Sequence, residues 1–325
     1  MSVIILKPRL DVTFKEGPVP DQRGPIQPIR QYWEAFVNTM LFQHKCDGDS
    51  VTVIERPLWQ FSKDLIQQLI EHYNANICYV PHHCKKTLSF DYPYDSWVRY
   101  YMQMSFPFLF QIDKDGWCAD ASTWPIMPSD DDSTELFDQL KERQDKGLSK
   151  FPQPALTNDP MPEGFLLYAC QLPHDQTIKL HSDVSVEHAL RETIRWCVDR
   201  KVPLVIKPHP VNPGSMKPLF DIFMEYEPSE YVIWKDNINI NQLLAHCAGL
   251  VSVNSGVGME AILHRRPVFT WGRADYDSVS LTVRDFDSFD SAWDNRQEMI
   301  PHYPSFINAY FSKMKQVRPL NNLFE

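Results

Sequence analysis

Residues 251–276 read VSVNSGVGMEAILHRRPVFTWGRADY, and the order of residue types in this stretch decides the fold class. Val251–Val253 is a short apolar run of strand type. Asn254, Ser255 and Gly256 make a tight turn of small residues. Val257–His264 has helical spacing of apolar positions, Arg265–Pro267 stops it, and Pro267–Trp271 is a second apolar run. Strand, turn, helix, stop and strand in so few residues is a βαβ unit, which implies a parallel sheet. The turn would set small residues and backbone N–H groups at a helix start, a local recipe for holding a phosphate. Glu260 lies one turn into that helix.

Working upstream, the alternation continues. Gly164–Cys170 and Pro203–Lys207 read as strands around a helix, Val186–Arg200, whose Ala189, Leu190, Ile194, Cys197 and Val198 share a face. Lys217–Glu225 is a helix, Tyr231–Trp234 a strand, Ile240–Cys247 a helix and Leu250–Val253 a strand. This pattern predicts an α/β, doubly wound domain over 164–300. Nearer the start, Val3–Leu6, Val51–Ile54 and Ile77–Val80 read as strands, and Gln31–Phe42 and Phe61–Tyr73 as helices. Tyr100–Ile112 is expected to begin helical and end as a strand, before a turn at Asp113–Gly116. The expected division is an N-terminal α/β domain over 1–150, a Pro-rich connection over 151–163, the 164–300 domain, and a helix within 301–325 that crosses back to the first domain.

Bulk properties narrow the function. With 325 residues the chain is long enough for two domains. A net charge of −10 argues against broad nucleic-acid binding, while leaving room for a small anionic ligand held by local groups. The seven cysteines are scattered and odd in number, as expected of reduced, mostly buried thiols rather than a disulfide framework. No apolar run is long enough to span a bilayer. MSVIILKPRL reads as a first strand and not a signal peptide, so the expected location is the cytoplasm. The basic finish of Lys313, Lys315 and Arg318 is too small to assert more than peripheral membrane contact.

In a doubly wound sheet, ligands sit at the C-terminal ends of the strands. Four motifs fall there: Gln171–Asp175, Lys207–Pro210, Asn254–Glu260 and Gly272–Tyr276. His209 lies between two prolines, which stiffen its backbone; it is a phosphate donor or acid, or else a turn histidine. Lys207 beside it supplies positive charge, or is simply solvated. Ser255 fits a helix N-cap or a phosphate ligand. Glu260 would accept from ribose hydroxyls, or serve only as a first-turn carboxylate. Asp175 is a candidate general base or nucleophile toward an anomeric carbon, against the plainer reading of a surface-loop carboxylate. His181 and Ser182 follow in the same segment and would help to position a substrate.

Three segments, QLPHDQTIKLHS (171–182), VIKPHPVNPG (205–214) and AGLVSVNSGVGMEAILHRRPVFTWGRADY (248–276), together resemble the capsule polysaccharide biosynthesis family, which includes the bacterial capsule Kdo transferases. The resemblance covers the C-terminal half. It implies a GT-B-like α/β fold with two Rossmann-like domains facing a central cleft. It also implies a glycosyltransferase that moves a sugar from a CMP-Kdo-like donor to a surface or capsule-type glycan or glycolipid. On that basis His209 and Pro210 would be the nucleotide-phosphate motif, with Lys207 adjoining. Ser255 and Gly256 would form the phosphate turn, and Glu260 would contact the nucleoside. Gln171, Asn254 and Gly258 complete the donor set. Asp175, in the Gln-x-x-x-Asp segment, would be the catalytic carboxylate, with His181, Ser182 and Tyr276 positioning substrate. No cofactor and no metal are expected.

Other readings stay open at this stage. A UDP- or GDP-sugar would suit the same cleft. A metal-dependent GT-A enzyme would use Asp113 and Asp115, which also read as a hairpin turn. His72, Cys78, His82, His83 and Cys84 have zinc chemistry without a standard spacing. A non-catalytic sugar-nucleotide or glycan binder would use the N-terminal aromatics Trp33, Trp59, Trp97, Tyr100, Tyr101, Trp117 and Trp124 to stack on sugars, although core packing accounts for most such residues.

Overall fold

The computed structural model describes residues 1–9, 27–210, 213–227 and 229–319. The chain forms two compact units, Met1–Trp124 with Lys313–Glu325, and Pro125–Ser312.

In the first unit, β1 (Ser2–Pro8), α1 (Gln27–Cys46), β2 (Ser50–Arg56), α2 (Lys63–His72), β3 (Ile77–Pro81), α3 (Tyr94–Trp97), β4 (Val98–Gln103) and β5 (Leu109–Asp113) follow in sequence. Strands β2, β1, β3 and β4 run parallel in that spatial order, and β5 is antiparallel to β4. The segment expected to begin helical is therefore a β-hairpin. Val98, Tyr100, Tyr101 and Gln103 are all buried, and bulky aromatic residues suit a pleated, enclosed strand better than a helix.

The second unit holds α4 (Glu135–Asp145), β6 (Leu166–Ala169), α5 (Gln176–His181), α6 (Val186–Arg200), β7 (Leu204–Lys207), α7 (Lys217–Tyr226) and β8 (Val232–Trp234). It continues with α8 (Ile240–His246), β9 (Gly249–Ser252), α9 (Val257–Leu263), β10 (Val268–Thr270), β11 (Leu281–Thr282), α10 (Phe286–Asp294) and α11 (Tyr303–Ser312). Its sheet is wholly parallel, in the order β11-β10-β9-β6-β7-β8. Strands β6, β7 and β9 are buried along their whole lengths, as sheets covered on both faces require. The chain winds outward from β6 through β7 to β8, then returns to the other side of β6 with β9. The topological switch point thus lies between β6 and β9, where this class of sheet opens a crevice at the carboxyl ends of the strands.

The units divide after Trp124, not at 150. Helix α4 belongs with the second unit, where Asn308 of α11 donates to the carbonyls of Asp131 and Ser133 just ahead of it. The Pro-rich stretch after it is not a linker between units. It runs along α8: Asn239 Nδ2 donates to the Pro154 carbonyl (2.8 Å), Gln153 Oε1 accepts from Ile240 N (3.1 Å) and Gln242 Oε1 from Thr157 N (2.9 Å). Proline content reported an extended path, and extended paths also occur on the surface of a domain. Helix α11 likewise stays in the second unit. The chain rejoins the first unit through β12 (Lys315–Gln316), antiparallel to β5.

All seven cysteines are free, and all but Cys46 are buried. Among the described residues, no helix is long and apolar enough to cross a membrane.

Candidate functional site

The switch point is stitched by one reciprocal amide pair. Gln171, just past β6, accepts from the Asn254 backbone N–H (2.9 Å) and donates to Asn254 Oδ1 (3.0 Å). Asn254 Nδ2 in turn donates to the carbonyl of Thr177 in α5 (3.1 Å). Both side chains are buried, so these bonds are costly to leave unmade. Their role in the structure is to fix the ends of β6 and β9 and the start of α5 relative to one another.

The turn after β9 is braced from beneath. Tyr276 is fully buried, and its hydroxyl donates to the Ser255 carbonyl (2.6 Å). Gly258 lies against that ring: a Cβ there would sit 2.2 Å from Tyr276 Cζ. Glycine at 258 is thus a packing requirement, and Tyr276 supports the turn from inside instead of facing outward. Several turn amides are already used. Ser255 N donates to Ser252 Oγ, Val257 N to Ser255 Oγ, and Gly258 N to the Ser255 carbonyl. The helix-start cradle read from the sequence is accordingly narrower than expected, with Gly256 as its exposed member and as the N-cap of α9.

The charged part of the site lies at the end of β7. Lys207 is 7% exposed, and among the described residues its ammonium makes no hydrogen bond or ion pair. Burial lowers its pKa, against the attraction of Cys170, Glu260 and Asp236. Glu260, equally buried, is pushed up to about 7 by burial; a bond from Ser149 Oγ and the charges of Lys207 and Lys150 act the other way. His209 follows in the same loop; its backbone N–H points to Met216 Sδ (3.4 Å), and its ring lies edge-on to Phe151 at 5.7 Å. Pro210 is exposed, while Val211 and Asn212 of the same motif lie outside the described residues.

Asp175 is exposed and, instead of lying in an open surface loop, caps α5. Its Oδ1 accepts from Thr177 N (2.9 Å) and Thr177 Oγ1 (2.8 Å). His181 is fully buried at the end of α5, where its carbonyl accepts from Arg273 N (2.8 Å). Ser182 shapes the turn after it, exchanging bonds with Val184. The four strand-end motifs do converge on one edge of one sheet. Within that edge Asp175 and Gly256 are exposed, His209 is half-buried and Lys207 is buried, whereas Gln171, Asn254, Gly258 and Tyr276 are buried and bonded or packed within the frame.

Three residues of the site were not singled out in the sequence. Ser149 and Lys150 arrive from the segment after α4, with Ser149 bonded to Glu260. Burial lowers the Lys150 pKa to about 8, opposed by Asp175, Asp275 and Glu260. Asp275, inside the Gly272–Tyr276 motif, is buried and takes the Tyr310 hydroxyl (2.6 Å); burial raises its pKa. Its neighbour Asp277 is raised to about 6, also chiefly by burial. Only Asp275 lay in a motif already under scrutiny, and nothing in local periodicity marks Ser149 or Lys150.

The metal alternatives fare differently. Asp113 is consumed by its own turn, its carboxylate accepting from Asp115 N, Gly116 N and Ser122 N and Oγ. The His72–Cys84 residues form no ligand cluster; His82 stacks on Trp33 and His83 bonds Thr87. Among the described residues, the group close enough to share an ion is His44, Asp47 and Asp49 in the first unit. There His44 already bonds Asp49 (2.8 Å) and Tyr79 (3.0 Å).

The family described as capsule polysaccharide biosynthesis protein matches residues 142–320. The capsule polysaccharide export protein KpsS of Escherichia coli is 29% identical over 40% of this chain and 35% of its own length. The capsule polysaccharide modification protein LipB of Neisseria meningitidis is 28% identical over 36% of this chain and 30% of its own. The aligned part thus spans about a third of each relative. Among solved structures, the beta Kdo 2,4 transferase of Thermosulfurimonas dismutans KpsC superposes with a TM-score of 0.51 at 15% identity, covering 87% of this chain and 88% of that one. That likeness shows the fold, α/β and GT-B-like with two parallel-rich sheets. The family match extends over more than half of the chain and takes in every strand-end motif of the second unit, so the chain belongs to the capsule polysaccharide biosynthesis protein family.

Proposed function

We propose that this chain is a glycosyltransferase that moves a sugar from a nucleotide-sugar donor, CMP-Kdo-like by resemblance, to a capsule or surface-type glycan acceptor. The observation that carries the reading is Lys207. Lys207 is buried as a residue, its ammonium has no bonded partner among the described residues, and it stands at the strand edge where this fold class takes its ligands. A phosphate of the donor would satisfy it, together with His209 and the exposed Gly256.

Charge develops on that phosphate as the sugar–oxygen bond breaks, and fixed donors there stabilise the transition state. Asp175 either takes the proton of the acceptor hydroxyl as that oxygen attacks the sugar, or attacks the anomeric carbon itself. In both cases the nucleotide leaves with the bonding electron pair. Protein cations supply the stabilisation, so no metal is assigned a step. The acceptor is assigned to the first unit, and the protein to the cytoplasmic side.

The full chain tests this directly. CMP-, UDP- and GDP-linked sugars are screened for thermal stabilisation, where a ligand at 100 times its dissociation constant adds about 2.7 kcal/mol. Nucleotide release is then followed in EDTA. Stabilisation by one donor class with EDTA-resistant, Asp175-dependent release is expected; the absence of both sinks the proposal. A non-catalytic sugar-nucleotide binder is the second reading, favoured by the use of Asp175 as a helix cap. Binding without release, indifferent to Asp175→Ala, would select it.

A further inference from the structure

We infer that Lys150 is a second cationic ligand for the donor's phosphate, carried to the site by the Gly147–Phe151 segment; this rests on the nucleotide-sugar reading above. The placement follows from what fixes that segment. Asn239 Nδ2 donates to the Gly147 carbonyl (3.1 Å) and Asn241 Nδ2 to the Leu148 carbonyl (3.0 Å), and both asparagines are buried. Ser149 Oγ donates to Glu260, and the Phe151 ring meets the His209 ring. The residues on either side of Lys150 therefore each touch a residue of the site.

The charge around it agrees with that placement. Lys150 is half-buried, its Nζ lies 5.8 Å from the centroid of the Phe151 ring, and it is under the attraction of carboxylates on three different elements: Asp175 at the start of α5, Asp275 after β10 and Glu260 on α9. Lys207 on β7 also acts on Glu260, and His209 lies beyond Phe151. Two ammonium groups from separate parts of the chain thus act on one carboxylate. A phosphate, with several anionic oxygens, can accept from both at once. The segment that brings Lys150 also occupies Glu260, so a nucleoside contact at Glu260 and phosphate capture by Lys150 would be set by the same stretch of backbone.

The test is calorimetric titration of the full chain with CMP, UDP and GDP, using wild type, Lys150→Ala and Lys150→Arg from about pH 7 to about pH 9. Removing one charge-assisted contact should weaken binding of the preferred nucleotide about tenfold or more in Lys150→Ala. Lys150→Arg, with its melting temperature as the fold control, should bind within a few-fold of wild type. Wild-type affinity should fall across that pH range as the Lys150 ammonium is lost. The fall should be flatter in Lys150→Arg, which keeps its charge. Lys207 is unchanged in this comparison, so its own titration cancels. If wild type binds but Lys150→Ala binds equally well, or the pH dependence is the same in Lys150→Arg, the assignment of Lys150 is overturned alone. If wild type binds none of the three nucleotides, the nucleotide-sugar reading falls and Lys150 with it.

Discussion

Lys207→Met should stabilise the free protein. The backbone of Lys207 ends β7 in register with Ala169 and accepts from Cys170 N (3.0 Å), and a methionine can keep both features. What changes is the side-chain head: the ammonium of a residue only 7% exposed, without a bonded partner among the described residues, becomes an apolar thioether of similar reach. Replacing buried ionic groups with apolar ones of similar volume is often neutral or stabilising by about 1–4 kcal/mol. Attraction to Glu260 and Asp236 offsets part of that gain here. A net gain of about 1 kcal/mol is expected, which is about 2–4 °C for a unit of this size. The sign with pH is fixed. Because the folded lysine has a lowered pKa, its cost is fully present below that folded value and disappears as pH rises through it toward 10.5, where the unfolded lysine also deprotonates. Urea unfolding of wild type and variant at several pH values measures it. A loss of about 1 kcal/mol or more in Lys207→Met would refute the reasoning, since it would mean that the ammonium is held by the protein and not kept for a ligand.

Three further outcomes follow from the same geometry. Gly258→Ala should cost about 2–4 kcal/mol, from overpacking against Tyr276 and loss of the Tyr276–Ser255 bond; a melting temperature like that of wild type would contradict it. Glu260→Gln should flatten the pH dependence of stability between pH 4.5 and about 7. The folded carboxyl holds its proton more tightly than the unfolded one, so wild type loses on the order of 3 kcal/mol as pH rises through that window, at about 1.4 kcal/mol per pH unit; equal slopes in the two proteins would count against a buried Glu260. Asp175→Asn should keep the α5 cap and the melting temperature while lowering donor turnover about 10²-fold or more, whereas Asp175→Ala also loses about 1 kcal/mol of cap. Normal turnover in Asp175→Asn would leave Asp175 as a cap only.

The second sheet was legible because its strands and helices alternate over short connections, and because parallel strands leave continuous apolar runs such as Leu166–Ala169 and Leu204–Lys207. The convergence of four motifs followed from topology alone. Other features were hidden for physical reasons. Helix α5 is a short helix opened by Asp175 and Thr177, too brief for periodicity to register. The β4–β5 hairpin was obscured by aromatic residues that suit either element. The unit boundary is hidden because prolines report an extended backbone and not which domain it lies on. Side-chain roles were the least legible. The Tyr276 hydroxyl is turned inward onto the Ser255 carbonyl, and Lys150 is carried to the site by a segment held by bonds from Asn239 and Asn241 and by the bond of Ser149 to Glu260, all distant in sequence.

The central claim is that the carboxyl edge of the second sheet binds the phosphate of a sugar nucleotide. Calorimetric titration of wild type and Lys207→Met with CMP, UDP and GDP tests it most directly. Binding of at least one nucleotide by wild type, weakened about tenfold or more in a Lys207→Met protein that is no less stable, is the predicted result. No binding by wild type, or equal binding by both proteins, would contradict it.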